Sequence, residues 1–114
     1  MHPPTPISFV RNFTSLLEES GCLSITALQV EESAQFLTEL SVYDDYFVAQ
    51  RSSATGLGAI LIALDTCEQI ISLCVRQSFL NRVLSIFSMD STSKEIQECK
   101  HHLYTIYLRN TDLQ

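Results

Sequence analysis

The chain has 114 residues, 46% of them hydrophobic and 18% charged, with a net charge of −6; that is one domain with one core, and not a disordered chain. Its seven Lys and Arg are scattered from Arg11 to Arg109 against thirteen acids, so the clustered positive surface that replaces phosphate counterions is missing and no nucleic-acid partner is expected. The longest apolar stretch, residues 57–64, is far too short to span a bilayer, and no membrane partner is expected.

Met1-His2-Pro3-Pro4 has no basic residue followed by an apolar run, so no secretory signal is expected. The four cysteines, Cys22, Cys67, Cys74 and Cys99, are therefore expected as reduced, mostly buried thiols. Proline stands only at 3, 4 and 6, and glycine only at 21, 56 and 58. The frequent turn punctuation of a β-sandwich is missing, and helix is permitted over long stretches.

A first helix is predicted from Pro6, with Thr5 as N-cap and Pro6 in the first helical position. Phe9, Phe13 and Leu16 or Leu17 share a face, and Gly21 stops the helix. A second helix is predicted over 26–41, opened by a capping box of Thr26 and Gln29. Its inner stripe runs through Leu28, Val30 or Glu31, Ala34, Leu37, and Leu40 or Ser41, with Glu31, Glu32, Gln35 and Glu39 largely opposite. Residues 42–50, with Tyr43, Asp44, Asp45, Tyr46 and Phe47, read as a connection that tucks aromatic rings against the core.

The third helix is predicted from Ser52 or Ser53 to Ala63 and is apolar on nearly every face. A helix apolar all round is a central, buried one. Ala54, Gly56, Gly58, Ala59 and Ala63 would let its neighbours approach closely. A buried strand at Ile60-Leu61-Ile62 is the competing reading, disfavoured because no partner strands are present. A fourth helix is predicted over 68–87, with a break before Ser78. Ile70, Leu73 or Cys74, Phe79 or Leu80, Val83 or Leu84, and Phe87 are placed inward. Residues 90–93 form a turn rich in capping side chains, and a fifth helix follows over 94–109 with Ile96, Cys99, Leu103, Ile106 and Tyr107 on one stripe.

Chemistry-bearing residues are present, but no constellation forms from them. Cys99, His101 and His102 with Cys67 and Cys74 lack the close Cys-x-x-Cys spacing of a structural zinc site. Cys22 sits in a loop with no neighbour in sequence to stabilise a thiolate. Glu18-Glu19 and Glu31-Glu32 are adjacent on helices, where side chains diverge, and read as solvated faces. Asp44-Asp45 reads as an anchor for its helix connection. Gly56-x-Gly58 lacks the strand, third glycine and acidic residue of a dinucleotide site. No catalytic, cofactor or metal residue is assigned.

Several local phrases resemble the second, C-terminal box of cyclins, most like the D-type. Pro4-Thr5-Pro6-Ile7-Ser8-Phe9-Val10 is similar to the opening of that box. Ala34-Gln35-Phe36-Leu37-Thr38-Glu39-Leu40-Ser41, with Asp44 and Phe47, resembles its second helix and the following turn. Residues 53–64, Ser78-Phe79-Leu80-Asn81-Arg82-Val83, and residues 95–108 with Cys99 resemble the third, fourth and fifth helices. One departure is that Gln50-Arg51-Ser52 stands where cyclins usually place prolines, with serine left to cap the third helix.

The resemblance implies an all-α, five-helix cyclin-box-like bundle around a central apolar helix. It would span residues 6–110, flanked by an N-terminal extension over 1–5 and a tail over 111–114. It implies a non-enzymatic regulatory domain of the nucleus or cytoplasm that supports binding and regulation of a cyclin-dependent protein kinase in cell-cycle control, with other proteins as further partners. In cyclins the kinase contact comes mainly from a first box, which no segment here matches. The alternative is a cyclin-fold general transcription factor binding promoter DNA, against which the acidic charge argues.

Overall fold

The computed structural model describes residues 6–67 and 71–112. Five helices account for nearly all of them: α1 Pro6–Glu19, α2 Ser24–Ser41, α3 Ser52–Thr66, α4 Leu73–Phe87 and α5 Lys94–Asp112. A 3₁₀ turn, Asp45–Val48, lies between α2 and α3. No strand occurs among the described residues, and the predicted all-α bundle is what forms.

The helix α3 is the axis. Every residue from Ala54 to Leu64 is buried, and α1, α2 and α5 all pack directly on it. Ile60 and Ile62, the competing strand candidates, lie within this helix. Close approach is built into its small residues. A Cβ placed on Gly58 would stand 3.2 Å from the backbone nitrogen of Lys100 and 3.4 Å from Cys99 Cβ. Glycine here lets α5 lie against α3 with no side chain between them.

The ends of the helices follow local chemistry. Gly21, at φ +109°, closes α1 as predicted. Its N–H donates to the Glu18 carbonyl at 3.0 Å and that of Cys22 to the Leu17 carbonyl at 3.2 Å, which satisfies two carbonyls left over at the helix end. Ser72 caps α4, its hydroxyl accepting from the Val75 N–H at 3.2 Å. Asp90 holds the turn before α5 by accepting from the Thr92 N–H at 2.8 Å.

Four predicted boundaries are corrected. α2 begins at Ser24, not Thr26: Leu23 is its N-cap without a side-chain bond, and Thr26 is buried in the first turn. The left-handed turn at Gly21 needs only Cys22 and Leu23 before the chain can wind again, so the apparent capping box is unused. No serine caps α3 either. Arg51 is its N-cap, with no side-chain cap bond, and Ser52 is already helical. α3 runs on to Thr66, whose hydroxyl donates back to the Ala63 carbonyl at 2.8 Å. α4 starts only at Leu73, because Ser72 is extended, and it passes Ser78 without a break. Ile70 lies outside the described residues. α5 extends to Asp112, beyond the predicted Arg109.

Burial also corrects inward assignments on two helices. Leu28 is half exposed, and Leu73, Cys74 and Leu84 face outward, leaving Phe79 and Val83 as the fully buried residues of α4. α4 packs chiefly on α1. There Phe87 meets Phe13 edge-on, with ring centroids 5.0 Å apart, and Phe9 at 6.5 Å.

Candidate interaction surface

Because α2 and α5 both rest on α3, they leave a furrow between them over its C-terminal end. Ile62, Ala63 and Thr66 line it from α3, Glu32, Ser33 and Phe36 from α2, and Lys100, His101, Tyr104 and Tyr107 from α5. The furrow consists of two adjoining depressions that share Ile62, Thr66 and Tyr104: one of about 500 Å³ between α3 and α5, and one of about 480 Å³ that reaches α2. Phe36 and Tyr104 are 46% and 49% exposed, so a large part of two aromatic rings faces water. Phe36 stands edge-on to Tyr107 at 6.5 Å between centroids, which braces the rings across the furrow.

One end of the furrow is closed by an ionic cluster. Asp65, near the end of α3, receives Arg76 of α4 at 2.8 Å and Lys100 of α5 at 2.9 Å. Burial acts to raise the Asp65 carboxyl, but hydrogen bonds from Lys100 and Arg76 overcome it and hold the carboxyl below its usual value. The folded pKa is thus depressed, so the stabilisation is fully present above the unfolded value of about 4 and is lost as pH falls through the folded one. Asp65→Asn should destabilise the fold by about 1 kcal/mol at neutral pH, discounted for partial exposure. It should have a much smaller effect near pH 3. Urea denaturation at both pH values checks this, and an equal loss at both would refute it.

A second exposed patch lies at the other end of α3. Val42, Tyr43 and Val48 are 75%, 88% and 82% exposed, and Val42 and Val48 line a depression of about 290 Å³ with Phe47 and Thr55. The aromatic connection is therefore split. Phe47 is buried, and Tyr46 stacks flat on His102 at 3.8 Å. Tyr43 points into solvent, against the expectation that the rings tuck inward.

Asp44 anchors the connection as predicted, its carboxylate accepting from the Tyr46 N–H at 2.8 Å. Arg51, just before α3, forks onto Glu95 of α5, with Nε donating to Oε2 at 2.9 Å. That hydrogen bond pulls the Glu95 carboxyl down and raises the Arg51 guanidinium.

The cysteines and histidines do not converge. Among the described residues, no group of three or more His, Cys, Asp or Glu is placed to hold a metal ion. All four cysteines are free, and only Cys99 is buried; Cys22 and Cys67 are half-buried and Cys74 is exposed, which corrects the expectation of mostly buried thiols. Burial, then the nearby Glu95, pushes the Cys99 thiol up to about 11, and burial with Cys67 and Glu18 raises that of Cys22. Neither environment favours a reactive thiolate. His101 is exposed, and His102 is taken up by Tyr46. Glu19 faces Arg82 at 3.7 Å on the surface.

The sequence did not announce the furrow. Phe36 and Tyr104 stand beside the inner stripes of their helices, and nothing local reveals that α2 and α5 diverge enough to leave them partly uncovered.

Among the described residues no helix is long and apolar enough to cross a membrane. The profile of the cyclin C-terminal domain matches residues 4–114. No curated protein and no solved structure matches the chain. Cyclin domains are regulatory rather than catalytic and work through protein–protein contact, generally with kinases. A five-helix bundle built around an apolar, small-residue α3, with a family match over almost every residue, makes this chain a member of the cyclin C-terminal domain family.

Proposed function

We propose that this domain is the second box of a cyclin-like regulator and supports the binding and regulation of a cyclin-dependent protein kinase in cell-cycle control. The observation that carries the reading is the family match over residues 4–114. The exposed aromatic furrow and the patch around Tyr43 are the surfaces such a scaffold offers to proteins. The domain does no chemistry itself. It buttresses a kinase-binding first box supplied from outside these residues, and its place of work is the nucleus or the cytoplasm.

The test is reconstitution. Mixed with purified cyclin-dependent kinases, the 114-residue chain alone should bind weakly and leave substrate phosphorylation at its basal level. A stable interface takes about 800 Å² per partner, and the reading assigns most of that area to the first box. Added to a first box that alone binds weakly, the chain should raise both affinity and activity. Robust activation by the chain alone, or no effect in either setting, would overturn this reading.

A further inference from the structure

The furrow between α2 and α5 has a polarity that narrows what can occupy it. The helix α2, which forms one wall, contains no Lys or Arg, and of its glutamates Glu32 is the one that lines the furrow. Glu32 stands there beside Phe36, and Glu39, exposed to solvent two turns further along α2, lies outside the lining. The lining Lys, Lys100, is already bonded to Asp65. The floor and the braced rings are apolar: Ile62, Phe36, Tyr104 and Tyr107. Leu108, one turn beyond Tyr104 on α5, is 43% exposed and extends the apolar strip. The result is an apolar trough with one acidic bank, on a chain whose net charge is −6.

Two adjoining depressions that share Tyr104 suit a ligand that offers apolar side chains at intervals along one face. An amphipathic helix does this with residues at i, i+3 or i+4, and i+7, the usual way a helix lies in a groove. The acidic bank selects the charge of its other face. We infer that the α2–α5 furrow is a docking site for a basic amphipathic helix of a partner protein, with apolar side chains in the two depressions and Lys or Arg set against Glu32. A second copy of this chain is a poorer occupant, because two surfaces with net negative charge would face each other. The inference rests on the reading of this domain as an interaction module, but not on the identity of the kinase.

The test uses a labelled peptide of about fifteen residues, long enough to become helical on a template. Leu occupies the helical stripe and Lys the opposite face, and binding to the 114-residue chain is followed by fluorescence anisotropy. One control peptide has Glu in place of Lys, and another has Ser in place of Leu. The Leu/Lys peptide should bind and weaken with added salt, and both controls should bind at least about tenfold more weakly. Phe36→Ser and Tyr104→Ser should each weaken it about tenfold, as central aromatic anchors do.

Glu32→Lys should weaken binding and flatten its salt dependence. Val48→Ser, in the distant patch, should leave it unchanged. Circular dichroism of each variant separates a lost site from a lost fold. Equal binding of either control peptide overturns the proposal, as does indifference to the furrow substitutions in folded protein. So does a concentration-dependent dimer in sedimentation that Phe36→Ser abolishes, which would make a second copy the occupant. Such a failure leaves the kinase reading standing, since that is decided by reconstitution.

Discussion

Gly58→Leu should destabilise this domain by about 3 kcal/mol or more, at the upper end of what overpacking costs. That is a large share of the roughly 5–15 kcal/mol a domain has in total. The reason is the identity of the nearest atoms. A Cβ at position 58 meets a backbone nitrogen, that of Lys100, at 3.2 Å, together with Cys99 Cβ and Leu103 Cδ1 at 3.4 Å. A side-chain tip could swing aside, but backbone can yield only if α5 moves as a body. Leu103 and Cys99 are wholly buried, so moving α5 opens the core along the whole α3–α5 contact.

Gly58→Ala sharpens the test, because two effects oppose each other. Alanine favours the helix over glycine by about 1 kcal/mol, while its methyl group crowds α5. With backbone as the obstacle, crowding wins, and the variant should be less stable than the parent. Urea denaturation of the two variants decides this. A Gly58→Ala protein more stable than the parent would mean that α5 yields easily and that the glycine serves no close approach.

The same contact shows why α3 was legible in the sequence and other elements less so. A run that is apolar on every face has only one place in a small domain, and Ala54 to Leu64 is buried throughout. The stop at Gly21 was equally plain, since few residues other than glycine adopt φ +109° without strain. Capping was less legible. Ser and Thr are frequent here, so Thr26 and the serines in the first turn of α3 mimicked N-caps, while the actual caps of α2 and α3 are Leu23 and Arg51, with no side-chain bond at either.

The face of α4 was harder still. Its sequence offers Leu73, Phe79, Leu80, Val83, Leu84, Ile86 and Phe87, more apolar residues than one contact with α1 can cover, and periodicity alone cannot choose among them. Position along the helix decides. Phe87 lies where α1 presents Phe9 and Phe13, while Leu73 is 78% exposed. The furrow was illegible for a related reason. It is defined by the divergence of two helices far apart in the chain, and neither Phe36 on α2 nor Tyr104 on α5 can reveal that divergence locally. What the sequence does carry is the furrow's charge, since α2 lacks any basic residue.

Phe13→Ala should cost about 3–5 kcal/mol, the usual range for truncating a wholly buried phenylalanine. Phe13 is 0% exposed, and its ring stands 6.3 Å from Phe9 and 5.0 Å from Phe87 between centroids. Its role goes beyond its own volume, because α4 packs chiefly on α1 and Phe87 is the last residue of that helix. Removing the ring should therefore loosen α4 before the rest of the bundle. Hydrogen exchange should show protection lost in α4 at low urea while α3 stays protected. A double-mutant cycle with Phe87→Ala should return a coupling of about 1 kcal/mol, as expected for an edge-on aromatic pair. Phe13→Leu keeps most of the volume and should recover the greater part of the lost stability. If Phe13→Ala unfolds in one transition with α3 and α4 exposed together, α4 is bound to the core by more than the aromatic cluster, and this account of its attachment is wrong.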